Sequence, residues 1–455
     1  MEKQLPSFLT KEVTRRSVLG GLLGLAASPL LLQACMTPSA NPSASKTPSP
    51  ALKTAPAAGP VTLKWQTANL TEAQYEPIWK EMVAKFQVQN PTITIEPILV
   101  ARKDHWTKFV TAAKANQAPD VVSVDISTGV YNGYLLPFDD LWAAEPESYR
   151  KAWTEDALVA GRYKGKLYGL PSWGGIYAEF YNKDLVQKAG LDIAKPPATW
   201  DEYLNWAKRL TTQDRWATTI LGGPTDTTTR VLLSWIWSNG GDIFNPDMTA
   251  TTFASNAKTL EAIKYYLDLE LVHKVTAPGS VNINYLEQTV LFAQEKIATM
   301  RNAYWAVAKV AGDNPAIKQK IAVAFPPMHG NNRATMVSVT CDSISKDCKN
   351  PEAAWKWIKF VNDREWSIKR AKIANWLPLR TDLIDDPEVK QDPLLAQFLE
   401  YGKVAKAYPL NHPLWADIAA TDVVSTVQAA LLKRGSVEEL FGKLDETLAK
   451  KFKEM

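Results

Sequence analysis

Val61-Thr-Leu-Lys-Trp-Gln66 alternates apolar and polar side chains, the period of a half-buried strand. Ala73 to Gln89 switches to the period of a helix, and Thr92 to Leu99 (TITIEPIL) returns to strand. Asp104 to Ala115 is again helical, and Asp120 to Val124 (DVVSV) reads as a buried strand. Tyr163-Lys-Gly-Lys-Leu-Tyr168 is a turn between two short strand pieces, followed by a strand at Ile176 to Tyr181 and a helix at Asn182 to Ala189. Thr199-Trp-Asp-Glu202 is a capping box opening the helix to Leu210, because the Thr and Glu side chains can satisfy each other's backbone N–H groups. Thr229 to Ser238 predicts a helix ended by Asn239-Gly-Gly241, and Asn256 to Val272 another. Ile297 to Met300 and Ile321 to Ala324 read as strands. Asn350 caps a helix with Pro351 at its first position and an end at Val361, and Ser436 opens a last helix pair. Strands alternating with helices imply α/β architecture with parallel sheets and right-handed crossovers.

Ahead of this pattern lies a different one. The apolar run Val18 to Leu32 is interrupted by Gly20, Gly21, Gly24 and Pro29 and falls short of the ~20 apolar residues of a membrane-spanning helix. A charged start, a short apolar middle and small residues at the end describe an export signal peptide over residues 1–34. Arg15-Arg16 resembles a twin-arginine signal, with the general secretory route as the alternative. Leu32-Gln33-Ala34-Cys35 resembles a bacterial lipobox with Gln33 in place of the usual small residue, which makes Cys35 the expected lipidation site. Cleavage near Ala34 without a lipid is the other reading. Residues 36–60, rich in Pro, Ser and Ala, cannot bury a core and read as a disordered tether, so 35–60 is anchor and linker.

About 395 residues remain after Pro60, too many for one comfortable core, which suggests two lobes. With 46% hydrophobic and 22% charged residues the composition is globular. Net charge is +4, of which the leader contributes two (Lys3, Lys11, Arg15 and Arg16 against Glu2 and Glu12), and no basic run suggests nucleic acid. The histidines His105, His273, His329 and His412 lack metal-ligand spacing, and no cofactor motif appears. Cys341 and Cys348 form a possible disulfide, since an exported protein meets an oxidising compartment.

Nine segments, in order, carry a resemblance: Pro119-Asp-Val-Val122, Leu135-Leu-Pro-Phe-Asp-Asp-Leu141, Tyr163-Lys-Gly-Lys-Leu-Tyr-Gly-Leu-Pro171, Tyr181-Asn-Lys-Asp-Leu185, Pro197-Ala-Thr-Trp-Asp-Glu-Tyr203, Asn239-Gly-Gly241, Glu295-Lys-Ile-Ala-Thr-Met300, Asn350-Pro-Glu-Ala-Ala-Trp355 and Leu377-Pro-Leu-Arg380. Together they resemble the extracellular solute-binding proteins of bacterial ABC importers, in particular the carbohydrate-binding family that includes maltose-binding protein. The resemblance implies a two-lobed periplasmic-binding-protein fold, each lobe a mostly parallel sheet flanked by helices. The lobes would be 61–175 plus 342–374 and 176–341 plus 375–455, with hinge crossings near Ser172–Ile176, Ser338–Asp342 and Asn375–Pro378. Cys341 stands where the family usually carries glycine. The implied protein is a monomer, not an enzyme. It holds a carbohydrate between its lobes, meets the permease subunits of an importer and is lipid-anchored at the outer face of the cytoplasmic membrane.

Ligands of open α/β sheets sit beyond the carboxyl ends of strands. That rule selects Thr67 and Asn69, then Asp125 and Ser127, then Arg301, Asn302 and Trp305. The expected hinge adds Trp173 and Trp376, and the helix before Asn239 adds Arg230 and Trp237; a solvated helix face explains Arg230 equally well. A sugar needs these types: aromatic planes cover its C–H faces, and amides, hydroxyls and carboxylates pair with its rim of hydroxyls. Trp200, Trp206, Trp355, Trp357 and Trp366, all on helices, are expected to pack rather than bind. A non-sugar solute remains the rival: a phosphate ester would call on Arg301, Arg230 and Arg380, and a polyamine on several carboxylates. A glycoside hydrolase would need a placed carboxylate pair, and Asp139-Asp140 and Asp385-Asp386 lie in acidic turns.

Overall fold

The computed structural model describes residues 59–454, apart from Gln74, 102–103, Asp125, Thr154, Ile384 and 410–411. The export signal, Cys35, nearly all of the tether and the candidate ligand residue Asp125 therefore lie outside the described residues.

Among the described residues eleven strands build the frame: β1 (Val61–Gln66), β2 (Ile93–Pro97), β3 (Val121–Val124), β4 (Arg162–Tyr163), β5 (Lys166–Leu167), β6 (Gly169–Asn182), β7 (Thr299–Ala303), β8 (Ile321–Ala324), β9 (Thr335–Ile344), β10 (Leu377–Pro378) and β11 (Ala405–Ala407). The first sheet runs β10-β6-β9-β3-β1-β2. Its β1 pairs in parallel with β2 and β3, as the alternation of strands and helices requires, but β3, β9, β6 and β10 pair antiparallel. The far half of β6 pairs antiparallel with β7 and β8. The sheets are thus mixed rather than mostly parallel. The reason is β6 itself: at 14 residues it is one continuous strand where the sequence pattern shows only its second half, and it belongs to both sheets.

Local signals place the helices. Thr199 and Glu202 form the expected capping box ahead of Trp200–Leu210, Asn182 and Asn256 cap their helices through Oδ1, and Ser436 with Glu439 opens Val437–Lys453. That last element is one helix, not a pair; it runs through Gly442 without a break over its 17 residues.

Beneath β1 and β2, Leu63, Trp65, Ile93 and Ile95 pack against Met82 and Phe86 of the helix Glu76–Gln89 and against Trp355, Trp357 and Ile358 of the helix Pro351–Val361. Trp357 meets the rings of Trp65 and Phe86 edge-on, each at 5.0 Å, and Trp366 and Trp200 are likewise buried, so these indoles are core. A second cluster joins Phe180 and Met300 to Phe292, Val307 and Phe398. A third runs from Val122, Val124 and Ile126 through Tyr177 and the helix Asp226–Ser238 to Trp415, Val423 and Phe441.

Two histidines are structural. His105 receives Gln66 Nε2 at Nδ1 (3.1 Å) and turns Nε2 to the Ser123 carbonyl (3.0 Å). His412 is held between Phe244 and Phe452, at 4.7 and 4.9 Å, with Nδ1 accepting the Leu414 N–H. Burial lowers the His412 pKa from 6.5 to about 4. The folded value lies below the unfolded one, so the stability it represents is complete above about pH 6.5 and drains away as pH falls toward 4. At most this is about 3 kcal/mol. Thermal melts from pH 7 to pH 4.5 should fall for the parent protein, and His412→Gln should flatten that slope.

Candidate functional site

The three segments expected as chain crossings lie side by side. On β6, Trp173 is paired with Thr340 of β9 and with Pro378 of β10, and Gly174 with Val339 and Leu377. The three expected hinge segments therefore form one antiparallel ribbon with β6 at its centre. Glycine is required here for space. A Cβ on Gly174 would lie 2.3 Å from the Ser338 carbonyl oxygen, and one on Gly175 would lie 1.9 Å from Cζ3 of Trp305.

A buried polar relay braces one end of the ribbon. Asp342 accepts Ser123 Oγ (2.5 Å) and Asn362 Nδ2 (2.8 Å). Asn362 Oδ1 accepts Arg370 Nη2 (3.2 Å), and Arg370 Nη1 donates to Ser172 Oγ (3.0 Å). One chain of hydrogen bonds thus links β3, β9, the helix Arg364–Ala374 and β6. Beside it Trp173 and Trp376 stack face to face at 4.3 Å with an 18° tilt, and Tyr75 covers Trp376 at 4.4 Å. The two tryptophans expected at the hinge are brought together, but not as the platforms expected: both are buried and each turns a face to the other.

Trp305 opens the helix Trp305–Asp313 directly after β7. It packs against all three apolar clusters, meets Tyr177 edge-on at 5.7 Å and remains partly exposed. Its Nε1 is buried and has no hydrogen-bond partner among the described residues.

The neighbouring strand-end residues behave differently. β7 runs two residues later than the apolar pattern suggests, so Arg301 and Asn302 lie within the strand. Asn302 is buried, donates to Gln288 Oε1 (3.1 Å) and accepts the Ala303 N–H (2.8 Å), so its amide is committed internally, contrary to expectation. Arg301 faces Glu179 across the β6–β7 pair at 3.1 Å, donates to Ser234 Oγ and lies 3.5 Å over the Trp235 ring. Glu179 also receives Tyr203 Oη (3.0 Å), and burial pushes its carboxyl above the usual range against the pull of Arg301.

Thr67, Asn69 and Ser127 are buried at the ends of β1 and β3, and Ser127 Oγ has no hydrogen-bond partner among the described residues. Arg230 is ion-paired with Asp226 (2.5 Å) and covers the Tyr408 ring at 4.7 Å. Trp237 is buried on the same helix, with the Lys406 ammonium 5.9 Å from its ring. The sequence pattern passed over Trp415. It packs on Tyr408 at 5.6 Å, and its short helix touches the helix Ile126–Tyr131 that follows β3. A lone tryptophan two residues after Pro413 gives no periodic signal.

No disulfide joins Cys341 and Cys348. Cys341 lies inside β9, with Sγ turned to the Ala160 carbonyl, and the extended strand carries Cys348 away from it at roughly 3.3 Å per residue. Burial pushes the Cys348 thiol up to about 12. The acidic turns are occupied as well: Asp139 accepts the Leu167 N–H, Asp385 pairs with Lys390 and Asp386 with Arg364. A shallow groove of about 390 Å³ lined by Trp79, Lys80, Val83 and Leu99 among others lies apart from the ribbon.

Comparison with known proteins gives concordant matches. Residues 81–397 match the sequence model of a family described as bacterial extracellular solute-binding protein. A putative binding protein of Brucella abortus is 27% identical over 380 residues, covering 81% of this chain and 89% of the relative. An arabinooligosaccharide-binding protein of Bacillus subtilis is 24% identical over 341 residues, covering 72% and 76%. In fold, a solute-binding protein of an ABC transporter from Thermotoga lettingae, solved with α-D-tagatose, superposes with a TM-score of 0.79 at 24% identity, over 86% of this chain and 99% of that one. The shared architecture is two-lobed α/β.

Proposed function

Because the chain belongs to the bacterial extracellular solute-binding protein family, we propose that it captures a sugar or oligosaccharide between two lobes and delivers it to the permease of an ABC importer. The lobes comprise 61–175 with 342–374 and 176–341 with 375–455, so that β6, β9 and β10 are the hinge strands. Closure follows from differential contact: a solute touching both lobes has more contacts when they are shut and shifts the population that way.

The observation that carries this reading is Trp305, a partly exposed indole at the meeting point of three apolar clusters with an unpartnered N–H. A pyranose face on the ring and a hydroxyl on Nε1 would satisfy both. The carbohydrates named for the Bacillus relative and the Thermotoga neighbour support the same class. Trp305 is the aromatic platform, with Thr67, Asn69, Asp125 and Ser127 as polar candidates from the facing lobe; Arg230 and Trp237 are secondary.

A phosphate ester is disfavoured, since Arg230, Arg301 and Arg380 are already paired with Asp226, Glu179 and Asp382. The leader supplies the address: export by the Arg15-Arg16 signal, a lipid on Cys35 and a Pro-, Ser- and Ala-rich linker to residue 60. Among the described residues no helix is long and apolar enough to cross a membrane.

A thermal-shift screen of the mature protein, in detergent if Cys35 is lipidated, tests the assignment. Neutral mono- and oligosaccharides should raise the melting temperature, at 100 times Kd by about 2.7 kcal/mol of linkage. Stabilisation by sugar phosphates or polyamines alone would refute the sugar reading.

A further inference from the structure

We propose that Gly175 is the positioning residue for the Trp305 platform: the missing side chain at 175 lets the indole lie directly on hinge strand β6. The inference rests on the reading of Trp305 as the solute platform. A Cβ on Gly175 would stand 1.9 Å from Cζ3 and 2.4 Å from Cε3 of Trp305, and 2.8 Å from the Ala303 Cβ. Separations that short do not survive in a folded protein, so one partner must move.

The backbone of β6 is the less able to yield. The Gly175 N–H donates to Ser338 Oγ at 3.1 Å, and Gly175 is in register with Ser338 of β9. On the other side of the strand pair, Gly174 and Trp173 are held by Leu377 and Pro378 of β10. Nor does Gly175 take a positive φ, so alanine there meets no backbone strain. The ring is the main obstruction, ahead of the Ala303 Cβ at 2.8 Å, and the ring is what shifts. Trp305 is confined by Tyr177, edge-on at 5.7 Å, and by the clusters around it, so displacement carries it away from the junction.

Gly174 provides the contrast. Its Cβ would meet the carbonyl oxygen of Ser338 at 2.3 Å, a backbone atom, so Gly174→Ala should disturb the ribbon and lower the melting temperature. Two adjacent glycines thus serve different ends: one admits the neighbouring strand, the other admits the platform.

The test is a double-mutant cycle by titration calorimetry on the mature protein, using maltotriose, arabinotriose and D-tagatose as probes, with a crystal structure of Gly175→Ala. For the probe that binds best, Gly175→Ala should weaken affinity at least fivefold. Added to Trp305→Ala, it should change affinity less than twofold further, because it acts through the ring. The crystal structure should show the indole displaced with β6 and β9 still in register. Where Trp305→Ala does weaken binding, an undiminished affinity in Gly175→Ala, or the same loss in the Trp305→Ala background, overturns the proposal. So does a Gly175→Ala structure in which the indole stays and the hinge backbone moves, a result that holds even if none of the three sugars binds. If Trp305→Ala binds as tightly as the parent while the ring is displaced by Gly175→Ala, the platform reading fails and the positioning claim stands.

Discussion

Replacing Glu179 with alanine is expected to lower the unfolding free energy by about 3–5 kcal/mol, the range for stripping one partner from a buried ion pair. Glu179 is fully buried and Arg301 is 3% exposed. Without the carboxylate, the guanidinium keeps only Ser234 Oγ and the face of Trp235. Tyr203 Oη loses its acceptor too and falls back on Thr299. Desolvating a charge with that little compensation outweighs what the cation–π contact returns. Urea denaturation measures the loss. The informative companion is Glu179→Met with Arg301→Met, which removes both charges and should recover most of the stability, because the pair's desolvation penalty disappears with it. A Glu179→Ala variant within 1 kcal/mol of the parent would contradict the burial of the pair.

That ion pair also shows where sequence reading ends. Arg301 and Asn302 were selected because they follow the apolar run Ile297 to Met300, yet they continue the strand and turn inward. Their partners are Glu179 and Gln288, supplied by other elements, and no local pattern announces them. The first half of β6 was hidden for a related reason. Gly169, Pro171, Gly174 and Gly175 are poor strand residues, and they form a strand only because β9 and β10 close on both sides. The residues that let β9 and β10 close on β6 are those that disguise the strand. Trp173 and Trp376 pose the same problem in aromatic form, since whether an indole faces a solute or another indole is decided by the chain some 203 residues away.

Local chemistry was legible. The capping box at Thr199, the helix start at Ser436, the alternation Val61, Leu63, Trp65 and the core tryptophans of the helix Pro351–Val361 all follow from neighbours within a few residues. Trp305 belongs between the two cases. Its place just after a strand was readable, and its footing on Gly175 was not.

Trp305→Ala is expected to weaken carbohydrate binding at least tenfold while the protein stays folded. Tenfold is about 1.4 kcal/mol. An indole offers 150–250 Å² of surface, and at about 25 cal/mol per Å² covering even half of it with a sugar face exceeds that figure. The Nε1 hydrogen bond to a hydroxyl adds about 1 kcal/mol. Folding suffers less than it would from truncating Trp357 or Trp366, which are 0% exposed, because Trp305 is partly exposed and begins its helix. The two effects separate by experiment: far-UV circular dichroism and the melting temperature report the fold, and titration calorimetry with the saccharide found in the thermal-shift screen reports the site. Trp173→Ala is the control. That ring is stacked on Trp376 inside the core, so its loss should appear mainly in the melting temperature. An affinity that survives Trp305→Ala but collapses in Trp173→Ala at constant stability would move the platform from the end of β7 to the hinge itself.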